Sequence, residues 1–126
     1  MSNHLNVLVV EDDADAATFE ALLLATENHQ VRIASDGPAA LREIEQANPD
    51  VVLLDLALPG CDGLEVARRI HQLNLSKRPW LVAVTGRGEE EDFRRSQAAG
   101  IDMHLVKPVA PQTLCTLLRG FQNVPH

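Results

Sequence analysis

The chain is 126 residues long, 45% hydrophobic and 23% charged, with a formal net charge of -7. That size suits one domain (1–126, core about 5–120) with a sizeable interior, and the excess of acid excludes nucleic acid as a direct partner, because phosphate binding needs a basic face. No apolar stretch reaches membrane-spanning length, and Met1-Ser2-Asn3-His4 lacks a signal-peptide core, so the expectation is a cytoplasmic protein with no membrane insertion.

A first strand is predicted over Leu5 to Val10, ending in Glu11-Asp12-Asp13. A helix follows from Ala14 to Glu27, with Phe19, Leu22, Leu23 and Thr26 near the helical period and Asp13 as its cap. The second strand, Gln30 to Ala34, carries Arg32 and reads as an edge. Ser35-Asp36-Gly37-Pro38 opens a helix to Ala47, where Asn48-Pro49 stops it. The third strand, Val51 to Leu54, is the most hydrophobic, hence the central one, and runs into Asp55. The loop Leu58-Pro59-Gly60-Cys61-Asp62-Gly63 leads to a helix over Leu64 to Leu73. Trp80 to Thr85 forms the fourth strand, with Trp80 about 16 Å from its far end at ~3.3 Å per residue. Gly86-Arg87-Gly88 precedes a helix that starts near Glu89 and stops at Gly100; the acids Glu89 to Asp92 suit its first turn. A fifth strand, Met103 to Val106, runs into Lys107-Pro108. The last helix, Pro111 to Arg119, is closed by Gly120.

Short, continuous Val/Leu runs suit parallel strands buried on both faces. Five βα units imply an α/β, doubly wound, flavodoxin-like (βα)5 fold with strand order 2-1-3-4-5. Right-handed crossovers place helices one and five on one face and two, three and four on the other. The carboxyl ends of the strands then share one edge, where ligands bind. Glu11, Asp12, Asp55, Thr85 and Lys107 all lie at such ends.

Three carboxylates at one edge repel each other and need a compensating charge, which a hard cation such as Mg2+ supplies. A carboxylate can attack phosphorus and form an aspartyl phosphate. Asp55 is placed to attack, the Lys107 ammonium and the Thr85 hydroxyl to bind phosphoryl oxygens, and Gly86 leaves backbone room. The cysteines Cys61 and Cys115 and five scattered histidines show no metal spacing and no disulfide framework.

The ordered set Val9-Val10-Glu11-Asp12, Leu54-Asp55 with Leu58-Pro59 and Asp62-Gly63, Thr85-Gly86 and Lys107-Pro108 resembles the receiver domain of bacterial two-component response regulators over essentially the whole chain. The resemblance implies Asp55 as phosphoacceptor and Asp12 as a direct Mg2+ ligand. It also implies the Ala57 backbone carbonyl as a further ligand, Glu11 helping through water, Thr85 as switch hydroxyl and Lys107 as the phosphoryl-binding lysine behind a cis peptide bond. It implies a sensor histidine kinase or histidine phosphotransfer protein as donor, and a domain that catalyses only its own phosphorylation and dephosphorylation, so it is not a turnover enzyme. The first helix would be the donor's docking site, with Ala16, Ala17 and Phe19 as contacts, although a core-facing Phe19 is the plainer reading. The output face would be helix four, strand five and helix five, its partner unspecified.

Receivers usually carry Tyr or Phe three residues before the lysine; here it is His104. Either His104 is a partly exposed strand residue, or it does the aromatic's work and makes the switch pH-sensitive near neutrality. Arg87 reads as a solvated loop residue beside the phosphoryl group, and a redox role for Cys61 has little behind it. Segments such as Asp55-Leu56-Ala57-Leu58-Pro59-Gly60 and Leu105-Val106-Lys107-Pro108-Val109 look like receivers of hybrid histidine kinases, so a stand-alone protein and an excised domain both stay open. A phosphorylation-independent protein-binding domain is the alternative function. A phosphohydrolase ranks lower, because Ala57 stands where such enzymes usually need a second acid.

Overall fold

A computed structural model of the chain describes residues 4–58, 62–86 and 90–122. Among them, β1 (Asn6–Val10), α1 (Ala14–Ala25), β2 (Gln30–Ala34), α2 (Gly37–Ala47), β3 (Val51–Asp55), α3 (Gly63–Gln72), β4 (Trp80–Thr85), α4 (Glu90–Ala98), β5 (Met103–Val106) and α5 (Pro111–Gln122) alternate along the chain. The strands form one parallel sheet in the order β2-β1-β3-β4-β5, with the predicted edge strand at one margin and β3 at the centre.

Alternation along the strands divides the interior into two layers. Leu8, Val10, Val52, Leu54, Leu81 and Ala83 pack with Ala40 and Ile44 of α2, Val66, Ala67 and Ile70 of α3, and Ala99 and Ile101 beyond α4. Val7, Val9, Val51, Leu53 and Val82 pack with Ala17 and Leu24 of α1 and Leu114 and Leu118 of α5. The helices therefore divide between the two faces as expected, α1 and α5 on one and α2 and α3 on the other. No helix among the described residues is long and apolar enough to cross a membrane.

The caps are local and legible. Asp13 Oδ1 accepts from the N–H groups of Asp15 (3.0 Å) and Ala16 (3.2 Å), Asp36 from Ala39 (2.8 Å) and Asp62 from Leu64 (2.9 Å). Asn48 ends α2 in the left-handed region, at φ 48°.

Several expectations need correction. The buried stripe of α1 is Ala17 and Leu24, while Phe19 and Leu22 are 59% and 65% exposed. Phe19 thus faces away from the core, and Ala17 is buried too deeply to meet a partner. α1 also stops at Ala25, short of Glu27. Gly120 does not close α5; the helix runs through it to Gln122, because Phe121 stacks on Trp80 (centroids 4.9 Å apart, planes 19° apart), and that contact holds the last turn.

His29 carries a pH-dependent contribution to stability. Its buried ring accepts the Leu5 N–H at Nδ1, 3.1 Å away, so the proton sits on Nε2 and a second proton would destroy the acceptor. Burial lowers its pKa, the charge of Glu27 opposing. The unfolded chain therefore takes up the extra proton first. Stability is full above the unfolded value of about 6.5 and drains as pH falls below it, toward the lower folded value. The thermal midpoint of the wild type is expected to fall more between pH 7 and pH 5 than that of His29→Gln. Parallel losses in calorimetry would refute the assignment.

Candidate functional site

Val10 pairs with Leu54 and Asp55 with Val84, so β1, β3 and β4 finish along one edge. Two backbone bonds continue the ladder past the strand tips. The Glu11 N–H donates to the Ala34 carbonyl (3.0 Å) and the Lys107 N–H to the Thr85 carbonyl (2.7 Å). They pin the first acid and the lysine to that edge, with the Lys107–Pro108 bond cis.

Oxygen atoms of Glu11, Asp12 and Asp55 lie within 4.8 Å of one another. Glu11 and Asp55 are 7% and 4% exposed, whereas Asp12 faces solvent. The Asp13 N–H donates to Glu11 Oε1 at 3.2 Å, and the Ala57 N–H to Asp55 Oδ1 at 2.9 Å. Asp55 Oδ2 is left toward Lys107, whose Nζ donates to it at 3.3 Å and stands 3.7 Å from Glu11 Oε2. Burial raises the pKa of Glu11, the Asp13 N–H opposing and the charge of Asp55 adding to the rise. Burial works against the Lys107 ammonium, but the Asp55 and Glu11 carboxylates outweigh it and hold the pKa above its ordinary value. Among the described residues Lys107 is paired with Glu11 and Asp55, and the three acids form a donor set of hard oxygens that fits a divalent cation such as Mg2+.

Thr85 ends β4 opposite Val106, at the same edge. His104 lies two residues back, opposite Ala83, and its ring packs on Phe93 of α4 (centroids 4.3 Å apart, planes 57° apart). It is half-buried. Ala57 is exposed beside Asp55, and a Cβ at Gly86 would meet nothing within 4 Å. Pro59, Gly60, Cys61, Arg87, Gly88 and Glu89 lie outside the described residues, as do the side chains of Glu90, Glu91 and Asp92, and with them the loop and acidic-turn expectations.

Glu20 escaped the sequence reading. Its half-buried carboxyl has a pKa pushed up to about 7, by burial first and then by the charge of Glu11, with Lys107 opposing and Asp55 adding. The signal was present: Glu20 follows Ala17 by three residues and precedes Leu24 by four, the spacing of one helical stripe.

The response regulator receiver domain family matches residues 7–119. The sensory transduction protein RegX3 of Mycobacterium tuberculosis is 37% identical over 115 residues, covering 91% of this chain and 49% of that protein. The transcriptional regulatory protein ResD of Bacillus subtilis is 35% identical over 111 residues, covering 88% of this chain and 45% of that protein. The chain therefore spans about half the length of these curated relatives. The receiver domain of sensor histidine kinase PA1611 from Pseudomonas aeruginosa PAO1, described with a magnesium ion coordinated in its active site cleft, superposes with a TM-score of 0.85 at 26% identity, over 96% of this chain and 99% of that one. With its sheet order, its acid-and-lysine edge and these matches in agreement, the chain belongs to the response regulator receiver domain family of two-component phosphorelay signalling.

Proposed function

We propose that this domain accepts a phosphoryl group on Asp55 in a Mg2+-dependent reaction, and that the aspartyl phosphate switches a protein-interaction surface. The observation that carries the reading is the meeting of Glu11, Asp12 and Asp55 with the Lys107 ammonium at one sheet edge. Asp12, Asp55 and the Ala57 carbonyl would hold the cation, with Glu11 acting through water. The magnesium described in the PA1611 receiver supports that set. When bound, the ion neutralises charge on the carboxylates and on the transferring group.

The protein's own part is positioning and charge. The Ala57 N–H holds one Asp55 oxygen and leaves the other to attack phosphorus. The P–N bond of a phosphohistidine donor breaks, its electron pair returns to the imidazole nitrogen, and an Asp55 O–P bond forms. Lys107 shifts its hydrogen bond from Asp55 to a phosphoryl oxygen, and the Thr85 hydroxyl donates to another. Donors of this kind sit on a sensor histidine kinase or a histidine phosphotransfer protein. Phe19 and Leu22, three residues apart on the exposed face of α1, would supply its apolar docking contacts, in place of Ala17. The test is intact mass after incubation with acetyl phosphate and Mg2+. A chain that gains no phosphoryl group would instead be a phosphorylation-independent protein-binding domain.

His104 is proposed to take the place of the usual switch aromatic, its ring moving on Phe93 as the Thr85 loop responds to phosphate. An imidazole there would make the phosphorylated state pH-sensitive near neutrality. His104→Phe is expected to flatten that dependence; superimposable pH profiles for the two proteins would end the idea.

A further inference from the structure

Ser96, in α4, holds a hydroxyl at full depth with nothing to bond. The residue is 1% exposed, and among the described residues its Oγ meets no hydrogen-bond partner. A buried hydroxyl left unpaired costs stability, and a serine inside a helix ordinarily bonds back to a carbonyl of the preceding turn. Alanine, which already stands at the buried position Ala99 one turn on, would avoid that cost. Ser96 also lines a cavity of about 200 Å³ between α4 and β5, and His104 lines the same cavity. Phe93, one helical turn before Ser96, stacks against the His104 ring with centroids 4.3 Å apart. His104 pairs with Ala83, whose side chain packs in the same layer of the core as Ala99. The hydroxyl and the imidazole therefore face one another across the α4–β5 seam. The other polar residues on the cavity are committed. Asp102 Oδ2 accepts the Leu81 N–H at 2.8 Å, and the Asp102 N–H donates to the Leu81 carbonyl at 2.9 Å, which ties that residue to β4. Gln97 shares α4 with Ser96 and is exposed.

We propose that the phosphorylated form turns the His104 ring into this cavity, where an imidazole nitrogen accepts a hydrogen bond from the Ser96 hydroxyl. The inference rests on the reading of Asp55 as phosphoacceptor and of His104 as the ring that moves. The two residues then work as a pair. The imidazole brings an acceptor that a phenyl ring lacks, and Ser96 brings a donor already stripped of water, where a hydrogen bond counts for most. Ser96 is thus a positioning residue, acting through His104 and not on the phosphoryl group. A bond made in only one of two states shifts the balance toward that state, so the pair favours phosphorylation. The same logic gives the pair a signature that ordinary packing lacks. Removing the hydroxyl weakens phosphorylation while costing the unphosphorylated fold nothing.

The experiment compares Ser96→Ala, His104→Phe and the double variant with the wild type. Each is incubated with graded acetyl phosphate and saturating Mg2+, and the phosphorylated fraction is read by intact mass. Ser96→Ala is expected to raise the half-saturating acetyl phosphate concentration about 2- to 10-fold, the range of one net hydrogen bond. Its thermal midpoint without acetyl phosphate is expected to hold or rise. In the His104→Phe background the same substitution is expected to leave the titration unchanged. Equal shifts in both backgrounds overturn the proposal, because Ser96 then acts without the imidazole. No shift in the wild-type background overturns it too, and so does a lowered midpoint of unphosphorylated Ser96→Ala. Should His104→Phe fold poorly, the ring nitrogens of His104 give the answer by 15N NMR. One of them should move toward the hydrogen-bonded acceptor position on phosphorylation of the wild type but not of Ser96→Ala, and the same movement in both proteins refutes the pairing. A wild type that takes the phosphoryl group while its His104 nitrogens stay put removes the switch reading of His104 and this inference with it. A wild type that takes none removes the phosphoacceptor reading as well.

Discussion

Asp55→Asn is expected to abolish phosphoryl acceptance, with a loss of at least about 10³-fold. The amide nitrogen and its conjugated oxygen lack the charge that makes the carboxylate a nucleophile toward phosphorus. The change is close to isosteric, so Asp55 Oδ1 should still accept the Ala57 N–H and the fold should survive. Lys107 would lose the nearer of its two acidic partners, at 3.3 Å, and keep Glu11 at 3.7 Å. Its pKa should therefore fall back toward the ordinary lysine value. The measurement is intact mass after acetyl phosphate and Mg2+, with far-UV circular dichroism as control for folding. A well-folded Asp55→Asn protein that gains the mass of one phosphoryl group at the wild-type rate would place the acceptor elsewhere.

Gly63→Ala is the second large effect, and it links packing to the site. Gly63 is the first residue of α3, and a Cβ there would lie 2.6 Å from Leu56 Cα, 2.9 Å from Leu56 Cδ2 and 3.0 Å from the Asp55 carbonyl oxygen. Two of those three atoms are backbone, which cannot rotate out of the way. Leu56 lies between Asp55 and Ala57, so relief of the clash must separate α3 from the strand tip that carries the site. Overpacking of this kind costs about 2 kcal/mol, which for a domain of this size lowers the thermal midpoint by about 8 °C. The same displacement disturbs the Ala57 carbonyl, so Mg2+ affinity measured by calorimetry should fall with the midpoint. If both quantities stay at the wild-type value, close approach is not what the glycine provides.

The acid-and-lysine edge was legible because it depends on few inferences. Buried parallel strands must be continuous apolar runs, so Val7 to Val10, Val51 to Leu54, Leu81 to Val84 and the run ending at Val106 announce themselves. Once crossover handedness is applied, their carboxyl ends have only one place to meet. The caps at the starts of α1 and α2 were equally readable, since Asp13 and Asp36 satisfy N–H groups two or three residues away and need nothing distant; the same role of Asp62 at the start of α3 was not read. The orientation of α1 was not. Its sequence, Ala-Asp-Ala-Ala-Thr-Phe-Glu-Ala-Leu-Leu-Leu-Ala, carries apolar residues on every side, so spacing alone does not choose a buried face. Only packing against the strands and α5 selected Ala17 and Leu24 and turned Phe19 and Leu22 outward.

The same distinction holds across the molecule. The order of residues determined the alternating strands and helices, the caps and the set of chemical groups at the sheet edge, because each follows from a local period or a short-range hydrogen bond. Tertiary structure alone decided that α5 continues through Gly120 to stack Phe121 on Trp80. It also decided that the His71 Nε2–H meets the Gly100 carbonyl at 2.7 Å, where Gly100 is held at φ 88°, and that an acid from α1 joins the field around Lys107. These features depend on surfaces of distant segments coming into van der Waals and Coulomb range, and that range is set by the packed chain as a whole.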